Sequence, residues 1–482
     1  MVDEPADWPL AIPAAEVVSA RTYLTDERFS TVRRARVYNL CESYRYQSTG
    51  YYVSLLAAAR GHRPLPDVLT MQDIKSRAML RPADDLEELV NRSLADIAAE
   101  KFELSVYFGR NLAQRHARLS RALFNLFPVP LLRANFQRRR DQWRLVGLKP
   151  IPFGEIPVSH REFLRDTIEQ HFSHRMPARA TPAARFELAI LVDPDEQSPP
   201  SDPAAIKRFI KAAGAQGFDV EVIGPDDFGR LAEFDALFIR ETTRVNHRSF
   251  RFASKARAEG LVVIDDPESI LRCANKVYLA ELMARLKIPT PRTMIVHRDN
   301  AARVAEELGL PCVLKQPDSA FSIGVVKASN PAELKSCLAE MLAASDLVVA
   351  QAYVPTDFDW RVGVLDRKPL FVCRYYMARH HWQIYKHEEG KVTAGSWDTL
   401  AVEDAPPAVV ELGLRAANAI GDGFYGVDIK ELDGGCVVIE VNDNPSVDRT
   451  VEDAVLGDQL YDEVIRVFRS RIEAGKAYGP NS

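Results

Sequence analysis

Two apolar, β-branched runs, Gly426-Val427-Asp428-Ile429-Lys430 and Val438-Ile439-Glu440-Val441-Asn442-Asp443-Asn444-Pro445, flank Asp433-Gly434-Gly435. The Asp-Gly-Gly predicts a hairpin with a three-residue turn. That turn sets Leu432 opposite Cys436 and so Asp428 opposite Glu440. Side chains two apart on a strand share a face, so Asn442 joins them. Directly opposed carboxylates repel, and the arrangement asks for a cation between them. Two carboxylates and an amide form an all-oxygen set that suits Mg²⁺ or Mn²⁺, and Mg²⁺ fills its remaining positions with water and phosphate oxygens. Asp428, Glu440 and Asn442 therefore predict a metal–nucleotide site.

Working back along the chain, Lys315 interrupts an apolar strand, Pro311-Cys312-Val313-Leu314-Lys315. A lysine so placed either snorkels to the edge or faces an anionic ligand. The loop that follows, Asp318-Ser319-Ala320-Phe321-Ser322-Ile323-Gly324, is made of small and hydroxyl residues able to cover phosphates, with Ser322 and Gly324 the candidates. It is not a P-loop. Lys276 follows Asn275 at a helix start, where the dipole favours anions, although a surface lysine is the competing account. Asp359 and Arg361 are two apart and share a strand face, as a nucleotide-facing pair or as a surface ion pair.

In this order, Asn275-Lys276, Leu314-Lys315, the Gly324 loop, Gln351-Ala352-Tyr353-Val354, Asp359-x-Arg361, Asp428 and Glu440-x-Asn442, the chain resembles the ATP-grasp superfamily. Within it, RimK-type and glutathione-synthetase-type carboxylate–amine ligases are the most similar. Ser43-Tyr44-Arg45-Tyr46-Gln47-Ser48-Thr49-Gly50 and the residues after it resemble the domain that precedes certain RimK-like ATP-grasp ligases. The resemblance implies that Lys276 and Lys315 contact ATP phosphates and that the loop of Ser322 and Gly324 closes over them. It implies that backbone groups at Gln351, Ala352, Tyr353 and Val354 meet the adenine edge. Ala352 stands where relatives often carry glutamate, so a side-chain contact is lost there. Asp359 is implied as a nucleotide-site carboxylate and Arg361 as facing phosphate or substrate. Asp428, Glu440 and Asn442 are implied to hold two Mg²⁺ (or Mn²⁺) ions.

Arg374 falls between the Arg361 strand and the hairpin, an interval that serves the acceptor side in related ligases, and is expected to hold a substrate carboxylate. Arg240, Arg244 and His247 are expected to line the cleft, and His380-His381 to lack the third ligand a Zn²⁺ site needs. Arg110–Lys149 carries nine arginines and one lysine against one acid, Asp141. It reads as a solvated helix face, with docking of a polyanion or acidic carrier as the competing account.

The whole chain has 482 residues, enough for about two to four domains. Its net charge of −5 and pI near 6.1 argue against a dedicated nucleic-acid binder. It lacks a long apolar run and begins acidic, so neither a membrane span nor a secretory signal is expected. Six scattered cysteines read as reduced thiols in a cytoplasmic protein. The expected fold is α/β and α+β multidomain. An N-terminal α/β domain covers 1–175, a linker 176–185, a small parallel-sheet domain 186–275 and an ATP-grasp domain 276–475. Strands are expected at Glu16–Leu24, Ala35–Leu40 and Phe102–Phe108, and helices over Tyr51–Arg60, Asp84–Glu100 and Asn111–Leu126.

The expected activity joins a small-molecule or peptide carboxylate to an amine through an acylphosphate. An ATP-grasp kinase, a non-catalytic ATP-binding module and a homo-oligomeric state stay open.

Overall fold

The computed structural model describes residues 1–10, 15–32, 35–75, 84–139, 142–173, 185–318, 324–378, 382–388 and 391–477. Ser322, His380, His381, Asp141 and, Arg185 aside, the expected linker lie outside them. The chain divides into two compact units, Met1–Ala183 with Asp226–Glu233, and Ala184–Pro225 with Phe234–Ser482.

In the first unit, β1 (Arg36–Tyr38) and β2 (Arg63–Leu65) pair in parallel across the helix Thr49–Ala59. Ser48 caps that helix by accepting from the Tyr51 N–H, so the Ser-Thr-Gly of the sequence is a helix start. Gly50 is required there, because a Cβ would meet the Ser43 carbonyl oxygen at 2.4 Å. β3 (Lys101–Tyr107), β4 (Leu131–Arg139) and β5 (Gln142–Pro150) form an antiparallel sheet in sequence order. Its alternate residues Leu104, Val106, Leu132, Ala134, Phe136 and Trp143 turn inward into a core shared with Leu119 and Leu123 of the helix Ala117–Leu126.

Three expectations change here. Glu16–Leu24 is not a strand: Ser19 accepts from the Thr22 N–H and opens a helix, Ala20–Thr25. The helix begun at Asp84 ends at Ser93. Arg110–Lys149 is not one helical face, since its second half is the β4–β5 hairpin and strand alternation distributes those arginines.

The second unit begins with β6 (Phe186–Leu191), β7 (Phe218–Ile223), β8 (Ala236–Ile239) and β9 (Val262–Ile264), all parallel in the order β7-β6-β8-β9. This is the expected small parallel sheet. The helix Pro203–Ala215 lies against the C-terminal helix Asp458–Ala477 through the edge-to-face rings of Phe209 and Tyr461, 4.7 Å apart, and Phe238 of β8 meets Phe468 of the same C-terminal helix edge to face at 5.4 Å. Each such pair adds about 1 kcal/mol beyond its buried area.

Next come β10 (Thr293–Val296), β11 (Cys312–Lys315), β12 (Val325–Ala328) and β13 (Val348–Ala352), an antiparallel sheet in the order β10-β13-β11-β12. The last sheet holds β14 (Phe358–Leu365), β15 (Lys368–Tyr376), β18 (Trp397–Leu400), β19 (Phe424–Leu432) and β20 (Gly435–Asp443), in the order β18-β15-β14-β19-β20. Between them β16 (Tyr385–Glu388) and β17 (Lys391–Ala394) form a separate hairpin. Trp360, Val362 and Val427 pack on the helix Pro407–Ile420, leaving the other face of this sheet for polar side chains.

The deciding hairpin turns differently from its reading. Leu432 pairs with Gly435, a two-residue turn, and the register shifts between Asp428 and Ile429. That β-bulge supplies the residue the turn lacks, so Asp428 still pairs with Glu440.

Candidate active site

A cavity of about 540 Å³ opens between the two antiparallel sheets and the parallel-sheet region of the second unit. From β19 and β20 it receives Asp428, Glu440 and Asn442 on one face, and Asn442 donates to Asp428 Oδ2 at 3.2 Å. From β14 comes Arg361, whose register partner is Asp428 and which grips that carboxylate with two bonds, 2.7 and 2.9 Å. From the first turn of the helix Lys276–Arg285 comes Lys276, 2.7 Å from Glu440. Asn275 caps this helix and also donates to Asp318, which ties the loop after β11 to the helix start.

Lys315 ends β11 and donates to the bulge carbonyl of Ile439 at 3.4 Å. Burial pulls its ammonium down to about 8, with Glu440 opposing the change. Burial would lift Glu440, but Lys276 and then Lys315 outweigh it and hold the carboxyl below its ordinary value. The acid is thus kept ionised by the lysines beside it.

Asp359 lies on the same face of β14 as Arg361, yet the two do not pair with each other. Asp359 accepts from Lys430 and from Thr356, the latter at 3.1 Å, and burial raises it above the ordinary carboxylate value in spite of Lys430. Gln351, Ala352, Tyr353 and Val354 all line the cavity. The Ala352 N–H is given to Arg292 at 2.9 Å and the Gln351 amide to Thr293 at 3.0 Å. Gly324 sits at φ +75° beside Gln316, where a Cβ would meet Oε1 at 2.9 Å, so this turn needs glycine.

Arg374 is a correction. It pairs with Trp360, one residue out of phase with Asp359 and Arg361, and so points to the opposite face of the sheet. Its guanidinium lies 5.6 Å from the Phe358 ring and 5.7 Å from that of Trp360, and it pairs with Asp398. Arg240 does not line the cavity either. Fully buried, it donates to Asn444 at 2.7 Å and Pro445 at 2.9 Å, and so props the loop after β20 from behind. Arg244 does reach the cavity wall, whereas His247 caps the helix Arg248–Ala258.

Sequence reasoning missed Lys430 and Asp443. Lys430 was findable, because Asp428-x-Lys430 puts it on the face of the strand that carries Asp428. Asp443 gave no signal: it lines the cavity, one carboxylate oxygen is buried without a hydrogen bond, and burial pushes it up to about 7.

Among the described residues no three His, Cys, Asp or Glu side chains converge as a metal site. The hairpin's donors are two carboxylates and an amide, an oxygen set that fits a hard divalent cation. All six cysteines are free, and no described helix is long and apolar enough to cross a membrane.

Residues 20–167 match the family model of the RimK-like ATP-grasp N-terminal domain, and residues 282–450 match that of the D-ala D-ala ligase C-terminus. The chain is an ATP-grasp ligase. Alpha-aminoadipate–LysW ligase LysX of Saccharolobus solfataricus is 28% identical over 259 residues, 51% of this chain and 90% of that protein. A probable alpha-L-glutamate ligase of Shewanella denitrificans is 25% identical over 261 residues, 50% of this chain and 86% of the relative. Among solved structures, the RimK domain protein ATP-grasp from Sphaerobacter thermophilus is similar with a TM-score of 0.45 and 17% identity, covering 58% of this ligase and 98% of that chain. D-alanine–D-alanine ligase from Bacillus anthracis complexed with ATP gives 0.45 and 16%, covering 61% and 100%.

Proposed function

We propose that this carboxylate–amine ligase forms an amide through an acylphosphate, with ATP and Mg²⁺ in the cavity of the second unit. One observation carries the reading: Lys276, Lys315 and Arg361 meet Asp428, Glu440 and Asn442 on the wall of a single cavity. Asp428, Glu440 and Asn442 would hold the divalent cation, and two ions fit the number of oxygen donors. When bound, the cation offsets charge on the β- and γ-phosphates.

The chain's own residues do the rest. Lys276 neutralises Glu440 and Arg361 neutralises Asp428. Asp428 and Glu440 would turn to the cation and Lys276 and Arg361 to phosphate oxygens, each exchanging one partner of opposite sign for another. Lys276, Lys315 and Arg361 then face developing charge on the γ-phosphoryl group. A substrate carboxylate oxygen takes that phosphoryl group and ADP leaves. The amine nitrogen next attacks the acyl carbon, the C–O bond to phosphate breaks, and phosphate and the amine proton are released. Gln351–Val354 would meet the adenine edge, with Asp359 beside the ribose, and the loop of Ser322 and Gly324 would cover the phosphates.

Amino acids and peptides are the substrate classes to test, since LysX and the glutamate ligases carry such substrates in their names. An acidic carrier at the Arg110–Lys149 region belongs to the same proposal. Screening amino acids and peptides for stimulated phosphate release, with mass spectrometry of the product, identifies the pair. With that pair and saturating Mg²⁺, Glu440→Ala should abolish ADP release. Near-normal turnover by this variant would sink the metal assignment.

A further inference from the structure

A second cavity, of about 390 Å³, lies within the first unit. Its walls come from four segments far apart in sequence: the turn after β3, the helices Ala117–Leu126 and Arg161–Ser173, and the short 3-10 stretch Pro225–Glu233. Two of its polar groups lack the partner that buried groups normally have. Thr167 is 1% exposed and its hydroxyl makes no hydrogen bond, and the buried Nε2 of His171 makes none either. They are four apart on one helix and so share the face that meets the cavity. A buried hydroxyl and ring nitrogen left without partners cost free energy, and a ligand entering the cavity can return it.

The surrounding charge says what kind of ligand. Asp226 pairs with Arg121, and Asp227 pairs with Arg230 at 3.1 Å, a guanidinium it shares with Glu233, which Arg36 also meets at 3.6 Å, so the acids here are balanced by arginines. Among the described residues of the wall, Arg110 is the remaining cation. Its guanidinium donates to the neutral amide of Gln170 and lies 5.5 Å from the Phe163 ring. The backbone leading to it turns through two left-handed residues, Phe108 at φ +45° and Gly109 at φ +79°. A bulky residue in that region is strained, and its neighbours hold it so that Arg110 faces the cavity.

We infer that this cavity binds a small oxyanion, a phosphate or a carboxylate, held by the Arg110 guanidinium with Thr167 and His171 as its buried hydrogen-bonding partners. The site is separate from the nucleotide cavity and gives the N-terminal region a ligand of its own.

The test is calorimetric titration of the full chain with inorganic phosphate and, in a second arm, with glutarate. Saturating ADP and Mg²⁺ are present, so that phosphate sites in the other unit are filled. One arm or both should show saturable binding, and the tighter arm names the source of the oxyanion. Arg110→Gln and Thr167→Val should each weaken it by about tenfold, while Thr167→Ser, which keeps the hydroxyl, should bind as the parent does. Thermal melting of each variant checks that it folds, and the serine variant carries the hydroxyl test if the valine variant does not. Binding of neither anion, or equal binding by all variants (an adventitious ion only), would overturn the site. So would loss in Arg110→Gln with Thr167→Val unchanged, because the buried hydroxyl is what distinguishes a built site from a surface arginine.

Discussion

Lys430 reaches two acceptors at once, the Asp359 carboxylate and, at 2.6 Å, the Thr356 hydroxyl, from a side chain that lines the cavity of the second unit. Lys430→Met leaves Asp359 as an unpaired buried charge, which costs about 3–5 kcal/mol, so the single variant confounds folding with binding. Asp359→Asn combined with Lys430→Met removes both charges and should recover the melting temperature. If Lys430 also faces nucleotide phosphate, that double variant should bind a fluorescent ATP analogue about tenfold more weakly than Asp359→Asn alone. Equal affinity of the two would reduce Lys430 to a partner of Asp359. Such residues show where the sequence is readable. Asp428, Glu440 and Asn442 were legible because a turn and a two-residue period fix who faces whom. Arg374 was misread because its place between motifs says nothing about strand phase, and one residue of phase put it on the helix-covered face. Asp443 was illegible because its environment comes from Thr243 and Asp266, which only the tertiary fold brings near.

At the scale of elements, two helical glycines should respond to alanine in opposite directions. Gly413 lies in the helix Pro407–Ile420 against β14, and a Cβ there would meet Cβ of Val362 at 2.8 Å. Val362 is fully buried and β-branched, with little freedom to move. Gly413→Ala should therefore destabilise by about 1–3 kcal/mol although alanine favours the helix. Gly214, in the helix Pro203–Ala215, has open space where its Cβ would go, and Gly214→Ala should stabilise by roughly 0.5–1 kcal/mol. Denaturant titration of both variants checks the pair, and a common sign would mean that packing against Val362 is not what keeps Gly413. Elements also show how a right pairing can have another cause. The three-residue turn expected at Asp433-Gly434-Gly435 is a two-residue turn plus a bulge, and both count the same number of residues between Asp428 and Glu440. The β4–β5 hairpin stayed hidden because charged residues dominate its sequence, and its inward row of Leu132, Ala134, Phe136 and Trp143 stands out only beside the helices that cover it. The parallel sheet was legible, as its strands are short apolar runs separated by amphipathic helices.

Across the whole molecule, the second unit buries carboxyl groups that a folded chain ionises reluctantly, and its stability should record that as pH dependence. Burial pushes Glu452 up to about 7, and it pushes Glu241 up to about 7 even against Arg248. Glu452 bridges the last sheet and the segment before the C-terminal helix, accepting from the Tyr375 hydroxyl and from the Asp448 N–H at 2.7 Å. Its folded value lies above the ordinary 4.5, so between those two values the native state holds the proton more tightly than the unfolded chain. The stability contributed is complete below about pH 4.5 and is lost as pH rises through about 7. The full swing is at most roughly 3 kcal/mol. Glu440, held low by its lysines, acts in the opposite sense and at more acidic pH. Glu452→Gln fixes the group in a neutral form. The wild-type protein should therefore exceed the variant in melting temperature by most near pH 5, and the gap should shrink or reverse near pH 8, with Glu241 leaving some slope in both. A gap that stays constant across this range would mean that Glu452 is ionised throughout, and that Tyr375 and the Asp448 amide compensate its burial in full.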